Sequence, residues 1–91
     1  IAEVLQGAGY RTSMTGKWHV TKHFNPADES LKYNWPLQRG FERYFGMIQG
    51  GADYFKPDYL ADGNSSVRPG EGFYTTDAFV DRARQPALPL L

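Results

Sequence analysis

Apolar residues at the start of the chain recur with the period of a helix. Ile1, Val4, Leu5 and Ala8 stand at positions i, i+3, i+4 and i+7, which lie along one side of a helix. Gly9 follows at the position where a left-handed C-terminal cap is expected. The pattern therefore predicts an amphipathic helix that ends near Gly9.

The next segment, residues 10–20, loses this period and is typical of a short strand that enters a loop. Alternate side chains of an extended chain share a face, so Lys17 and His19 are expected to project together, roughly 6–7 Å apart along the strand. This spacing indicates a two-pronged cationic site. The residues that favour a strand are Thr12, Thr15, Trp18 and Val20.

The middle of the chain alternates between turn-rich and aromatic-rich stretches. Residues 24–40 are polar and marked by proline without a helical or strand period, which predicts a long loop. Residues 41–55 are aromatic, and Gly46 and the Gly50-Gly51 pair are expected to divide them into short buried pieces. Residues 58–72 return to turn chemistry, with DGNSS and RPGEG. We expect short elements joined by turns.

A last helix is predicted near the end of the chain. Thr75 or Thr76 is a candidate N-cap, and the helix is expected to end before Pro86. The expected buried side of this helix consists of Phe79, Val80 and Ala83.

Composition and charge narrow the possible functions. Ten basic residues balance ten acidic ones, so no net field favours nucleic acid, and an anion site must be a local cluster. The chain has no cysteine and therefore no disulfide, thiolate metal site or cysteine nucleophile within these residues. No apolar run approaches the roughly 18–20 residues that span a bilayer, so we expect no membrane span.

Several motifs with a known chemistry fit the sequence poorly. Gly16-Lys17 is preceded by Arg11 where a phosphate-binding loop needs glycine, and Trp18 replaces its Ser or Thr. His19 and His23 are four residues apart, but neighbouring lysines would repel a dication, so we predict no metal site in this chain.

Other polar residues allow both a functional and an ordinary interpretation. Arg39 and Arg43, four residues apart, are suited to an anion or to solvation of a turn. Asp62 and Asn64 flank a glycine as in a cation loop, but the further acidic ligands of such a loop are absent. Asn64-Ser65-Ser66 matches the glycosylation acceptor pattern. On spacing alone, Lys17 and His19 also allow two interpretations: recognition of an anion, or an ordinary exposed lysine beside a structural histidine.

Three separated blocks of the sequence resemble the formylglycine-dependent sulfatase family, close to bacterial arylsulfatases. They are LQGAGYRTSMTGKWHV, NWPLQRGFERYFG and GFYTTDAFVDRA, and they occur in the order of the family. The resemblance covers nearly the whole chain. It implies an α/β fold, namely a fragment of an alkaline-phosphatase-like mixed sheet flanked by helices. Residues 1–91 would then be part of an N-terminal catalytic domain, incomplete at both ends.

The resemblance also implies an activity. The family hydrolyses sulfate esters with a formylglycine nucleophile and a divalent metal, usually calcium. Carried onto this sequence, Lys17 of GKWH would contact the sulfate oxygens and His19 would hydrogen-bond the formylglycine hydroxyl. The expected partner is a small sulfate ester or a sulfated glycan. A periplasmic or secreted location is expected because relatives are commonly found there.

Departures from the family pattern limit what this chain can do alone. No C/S-x-P-x-R motif occurs, because the residues after Ser13, Ser30, Ser65 and Ser66 do not match it, so the nucleophile and the metal ligands are expected outside the fragment. The isolated chain is expected to be inactive. Residues 33–39 and 53–59 are the loops suspected of contributing to substrate specificity. Two alternatives stay open: a phosphate or phosphonate ester hydrolase of the same superfamily, and a noncatalytic sulfated-glycan binder that uses Lys17, His19, Arg39 and Arg43.

Overall fold

The computed structural model describes residues 1–21, 28–49, 54–55 and 59–85. This part of the chain contains two α-helices, two 3-10 helices and four strands. In chain order they are α1 (Ala2–Gly7), β1 (Ser13–Thr15), a first 3-10 helix (Glu29–Lys32), a second 3-10 helix (Pro36–Arg39), β2 (Arg43–Met47), β3 (Leu60–Asp62), β4 (Ser65–Ser66) and α2 (Thr75–Ala83).

The strands form one mixed sheet in the order β1-β2-β3-β4. β1 and β2 are parallel, with Ser13 opposite Arg43, whereas β2 and β3 are antiparallel, with Gly46 opposite Ala61. β3 and β4 form an antiparallel hairpin. The expected mixed sheet with helices is therefore confirmed.

Alternation along β2 gives the sheet two buried faces. Tyr44 and Ile48 contribute to one core cluster together with Trp35 of the connecting segment. Phe45 and Met47 point the other way and contribute to a second cluster, against which α2 packs. Since successive side chains of a strand point to opposite faces, a five-residue strand supplies both clusters.

The predicted end of the first helix is confirmed. Gly9 has a left-handed φ of 97° and its N–H donates to the carbonyl of Gln6, while the N–H of Tyr10 donates to the carbonyl of Leu5. These two bonds form a Schellman motif, which satisfies the last carbonyls of α1. The apolar stripe of α1 lies outward, with Val4 73% exposed, and Ala2 is the buried residue of the helix.

Three predictions of local structure are corrected. Within residues 24–40, which were expected to form an irregular loop, the described residues 28–40 contain both 3-10 helices, because Asp28 caps the first and Pro36 begins the second. Gly46 does not interrupt the aromatic stretch but lies inside β2. Gly50 and Gly51 lie outside the described residues. The turn chemistry of residues 58–72 surrounds a short hairpin, β3 and β4, joined by Gly63 and Asn64.

The predicted C-terminal helix is α2, but its cap and its buried side differ from expectation. Tyr74 is the N-cap residue and makes no side-chain capping bond, while Thr75 lies in the first turn and is 1% exposed. Phe79 packs against the sheet, with its ring centroid 6.2 Å from that of Phe45. Val80 is exposed because the buried side includes Thr75 and Ala78 instead. The helix ends at Ala83, before Pro86 as predicted.

Candidate active site

The GKWH segment continues the parallel pairing of β1 with β2. The N–H of Gly16 donates to the carbonyl of Phe45 at 3.0 Å, and the N–H of Trp18 donates to the carbonyl of Met47 at 2.8 Å. Both bonds keep the register in which residue 13 lies opposite residue 43. The backbone of the segment is therefore fixed to the central strand of the described sheet.

The extended conformation ends at His19. Its φ is +54°, so the chain turns there, and its N–H donates to the carbonyl of Ile48 at 2.8 Å. A left-handed conformation costs a non-glycine residue about 1–2 kcal/mol, and such backbone positions cluster at functional sites. The separation of 6–7 Å between Lys17 and His19 assumed an uninterrupted strand, and it stays a prediction. Both residues are exposed, so their side chains are available to a ligand.

Trp18 lies between the two candidate residues and is buried in part. Its indole N–H donates to the carbonyl of Asn34 at 2.7 Å, and its ring meets Phe41 edge-on at a centroid distance of 6.0 Å. It packs against the cluster that contains Trp35 and Tyr44. The indole therefore anchors the segment on the protein side and leaves its two neighbours in the sequence on the solvent side.

The buried side chain of Tyr44 contacts the backbone of the GKWH segment. No pattern in the sequence predicted this contact. Its hydroxyl oxygen lies 2.6 Å from the carbonyl oxygen of Gly16 and 3.1 Å from that of Met47. Tyr44 is 2% exposed. Burial raises the pKa of its phenol well above the ordinary value of about 10. The hydroxyl stays protonated and donates to the carbonyls that border the candidate site.

Gly46 permits this close approach of two backbone segments. A Cβ at this position would overlap the carbonyl oxygen of Gly16 and would lie 2.6 Å from the Tyr44 hydroxyl oxygen. Real Cβ atoms essentially never lie closer than 3.0 Å to such an atom. The sequence signal was the glycine inside an aromatic run, but its partner becomes visible only when β1 and β2 pair.

Three other polar residues singled out in the sequence have interaction partners of their own. Arg39 forms an ion pair with Glu3 at 3.2 Å, and Arg43 also has an interaction partner. Asp62 pairs with Arg82 of α2 at 2.9 Å. His23 lies outside the described residues.

No group of three or more His, Cys, Asp or Glu side chains that could hold a metal ion occurs among the described residues. Within the same residues, neither helix is long and apolar enough to cross a membrane. A cavity of about 500 Å³ opens between β1, β2 and α2, but its lining includes neither Lys17 nor His19. The GKWH segment is thus a separate, exposed candidate site.

Comparisons with known proteins identify the family. The family model described as Sulfatase matches residues 1–87. N-acetylglucosamine-6-O-sulfatase of Bacteroides thetaiotaomicron is 36% identical over 81 residues, which is 89% of this chain and 12% of that protein. Arylsulfatase G of Rattus norvegicus is 49% identical over 47 residues, or 52% of this chain and 7% of the relative.

A solved structure is similar over almost the whole fold. The crystal structure of Ps i-CgsB in complex with k-i-k-neocarrahexaose superposes with a TM-score of 0.62 at 26% identity, over 94% of this chain and 23% of that one. The chain thus spans about an eighth of its first bacterial relative and under a quarter of this structure. The fold, and the family model over residues 1–87, show that the chain belongs to the sulfatase family, with the expected alkaline-phosphatase-like α/β architecture.

Proposed function

We propose that this chain is part of the catalytic domain of a sulfuric ester hydrolase, and that Lys17 and His19 are its active-site residues. The observation that carries the proposal is the GKWH segment itself. Its backbone is bonded to β2 and its tryptophan is anchored, while the residues on either side of that tryptophan are exposed. A backbone fixed in this way, with two exposed side chains that can donate to an anion, is suited to holding that anion in one orientation.

Lys17 is proposed to bind the nonbridging oxygens of the sulfate group. Sulfuryl transfer spreads negative charge over these oxygens and over the leaving oxygen, so a positioned cation lowers the barrier. The ammonium group is a compact charge with three N–H donors. The bonds of Gly16 and Trp18 to β2 fix the backbone on both sides of Lys17, so little rearrangement is needed at the moment of reaction.

His19 is proposed to hold or move a proton beside the reacting centre. A neutral imidazole has one donor and one acceptor nitrogen, so it can both give and take a hydrogen bond at the reacting centre. The turn at His19 directs the chain away from the strand direction, and the bond of its N–H to Ile48 fixes that turn. Proton transfer by a positioned histidine typically contributes 10²–10⁴-fold to a rate.

The metal and the formylglycine of the family are not supplied by these residues. The described residues provide no cluster of three acidic or histidine ligands, and the sequence has no C/S-x-P-x-R motif. These groups would have to come from elsewhere in a longer protein. Lys17 and His19 supply anion binding and proton transfer only.

A sulfated sugar is the proposed substrate class. N-acetylglucosamine-6-O-sulfatase is a relative over 89% of the chain, and the similar solved structure contains k-i-k-neocarrahexaose. The name of the first protein and the ligand bound to the second support a sulfated sugar as the substrate class. A secreted or periplasmic location would suit such a substrate and is proposed with it.

The proposal is tested in a complete sulfatase that carries these residues, with matched sulfate and phosphate esters of one alcohol. We expect faster turnover of the sulfate ester and a loss of about 10²–10³-fold in Lys17→Ala, the size typical of removing one preorganised donor. Faster turnover of the phosphate ester would favour a phosphate ester hydrolase. Binding of sulfated glycan without turnover would favour a binding protein.

A further inference from the structure

Three aromatic rings meet on the surface at the start of α2. The rings of Phe55 and Tyr74 are stacked, with centroids 5.3 Å apart and an interplanar angle of 25°. The ring of Tyr54 meets that of Tyr74 at 6.4 Å and 62°. Tyr54, Phe55 and Tyr74 are called the aromatic platform below.

The platform is exposed although its rings contact one another. Tyr54 is 64% exposed, Phe55 60% and Tyr74 37%. Single exposed aromatic residues are common on protein surfaces, whereas contiguous exposed apolar patches are a feature of interaction sites. The stacked pair leaves aromatic surface open to a flat apolar ligand.

The backbone holds the platform in place. The N–H of Thr75 donates to the carbonyl of Tyr54 at 2.9 Å, which joins the loop to the first turn of α2. Tyr74 is the N-cap residue of the same helix. The three rings are therefore carried by a helix start and by a loop bonded to it, so a ligand would meet them already assembled.

The loop of the platform begins beside His19. Ile48 accepts the N–H of His19 through its carbonyl and donates its own N–H to the carbonyl of Tyr59, both at 2.8 Å. Tyr54 and Phe55 lie between Ile48 and Tyr59 in the sequence. Tyr54 is six positions after Ile48, so their Cα atoms lie at most about 20 Å apart. This is within reach of an oligosaccharide whose sulfate group lies at Lys17.

We propose that the aromatic platform binds the face of an unsulfated pyranose ring in the glycan substrate, within a few sugars of the one that carries the reacting sulfate. One face of a pyranose presents several C–H groups with partial positive charge, and the face of an aromatic ring is negative. No charged side chain is needed for this contact. The aromatic platform would therefore bind the sugar ring, while the GKWH segment binds the sulfate group. The inference rests on the proposed function, whose substrate it specifies.

The test measures sugar binding without turnover, in the complete sulfatase that carries these residues. The probes are k-i-k-neocarrahexaose and the same oligosaccharide after chemical desulfation, titrated by calorimetry. We expect the desulfated oligosaccharide to bind, and Tyr74→Ala and Phe55→Leu each to weaken this binding about 5–10-fold. Tyr74→Phe keeps the ring and is expected to bind as the parent protein does.

Tyr10→Ala is the matched control, because Tyr10 is a 62% exposed aromatic residue outside the platform. Its binding should equal that of the parent. Phe55→Leu keeps an apolar side chain of similar size, so it tests the ring even if an alanine variant fails to fold. Equal binding by Phe55→Leu and the parent would overturn the proposal, as would a loss in Tyr74→Phe as large as in Tyr74→Ala.

Measurements with the sulfated oligosaccharide distinguish sugar binding by the aromatic platform from the proposed hydrolysis of sulfate esters. Failure to hydrolyse any sulfate ester would contradict the proposed function, while binding of desulfated oligosaccharide through the three rings would still stand. If the enzyme is active but the desulfated oligosaccharide does not bind, the aromatic platform has another role and the inference is wrong. In an active enzyme, platform variants should raise KM for the sulfated oligosaccharide more than they lower kcat.

Discussion

Gly46→Ala tests how the candidate site is supported. The new methyl group would overlap the carbonyl oxygen of Gly16 and approach the Tyr44 hydroxyl oxygen to 2.6 Å. The obstacle on one side is backbone, which cannot rotate away as a flexible side chain can. β1 and β2 must therefore separate at this point, and the backbone next to Lys17 must move with Gly16.

The size of the effect follows from three contributions. Overpacking a close contact costs about 1–3 kcal/mol. A displaced Gly16 carbonyl also deprives the buried Tyr44 hydroxyl of a partner, which costs about 1–3 kcal/mol. Replacing glycine restricts the unfolded chain and returns about 0.4–1 kcal/mol. The net loss is about 3 kcal/mol in the free energy of unfolding.

Urea unfolding of the 91-residue chain, followed by tryptophan fluorescence, measures this loss. Trp18 and Trp35 are the two tryptophans and both belong to the core beside the site. With an m-value of about 1 kcal/mol/M, the midpoint should fall by about 3 M, or the folded baseline should vanish. Gly70→Ala is the matched control, because a Cβ there meets no atom within 4 Å and the position has no positive φ.

An unchanged midpoint in Gly46→Ala would refute the close approach of β2 to the GKWH segment. If Gly70→Ala lowered the urea midpoint as much as Gly46→Ala, the loss in Gly46→Ala could not be assigned to the contact with Gly16. In a complete sulfatase, the same substitution should lower kcat/KM by about 10²-fold, because displacements of about 1 Å in a positioning element have effects of that size.

Three further substitutions test separate contacts. Burial raises the folded-state pKa of Tyr44, so the free energy of unfolding of the wild type should fall as the pH rises above about 10. Tyr44→Phe should abolish this part of the pH dependence, which urea unfolding of both proteins at a series of alkaline pH values measures. Gly40→Ala should cost more than Gly9→Ala in thermal unfolding, because both glycines have positive φ but only the first would strike the backbone of α1. Trp18→Phe removes the 2.7 Å hydrogen bond to the carbonyl of Asn34 and should lower the free energy of unfolding, measured in urea, by about 1 kcal/mol. An unchanged free energy of unfolding would show that this bond does not anchor the segment.

Local signals in the sequence identified those features that depend on a few neighbouring residues. The end of α1 was predictable because Gly9 follows the last periodic residue, and a Schellman motif requires nothing further along the chain. The strand before Lys17 and the helix before Pro86 were predictable for the same reason. Their extents differ from expectation by a few residues.

Features that depend on pairing between distant segments were not predictable. Gly46 was interpreted as a break, but the carbonyl of Gly16 lies against it across the sheet, 30 residues away in the register of β1 and β2. The capping role expected of Thr75 failed because Tyr74 is the N-cap, while Thr75 is already inside the first turn of α2 and is buried. The turn at His19 likewise depends on its bond to Ile48.

The candidate residues came from resemblance more than from pattern. Spacing indicated that Lys17 and His19 project together as a cationic pair, and the family blocks supplied their expected roles. The aromatic platform joins residues 54–55 to Tyr74, some 20 positions later, so neither spacing nor resemblance brought its rings together. Tyr54 and Phe55 fall within residues 53–59, whose contribution to specificity stays a prediction.

The central claim is that the GKWH segment binds the sulfate of a sulfate ester through Lys17. The most direct measurement is kcat/KM for a sulfated N-acetylglucosamine in the complete protein, compared between the parent, Lys17→Ala and Arg68→Ala. Arg68 is an exposed cation outside the segment and serves as the control. We predict that kcat/KM falls about 10²–10³-fold in Lys17→Ala and does not change in Arg68→Ala. Equal activity in Lys17→Ala and the parent would contradict it.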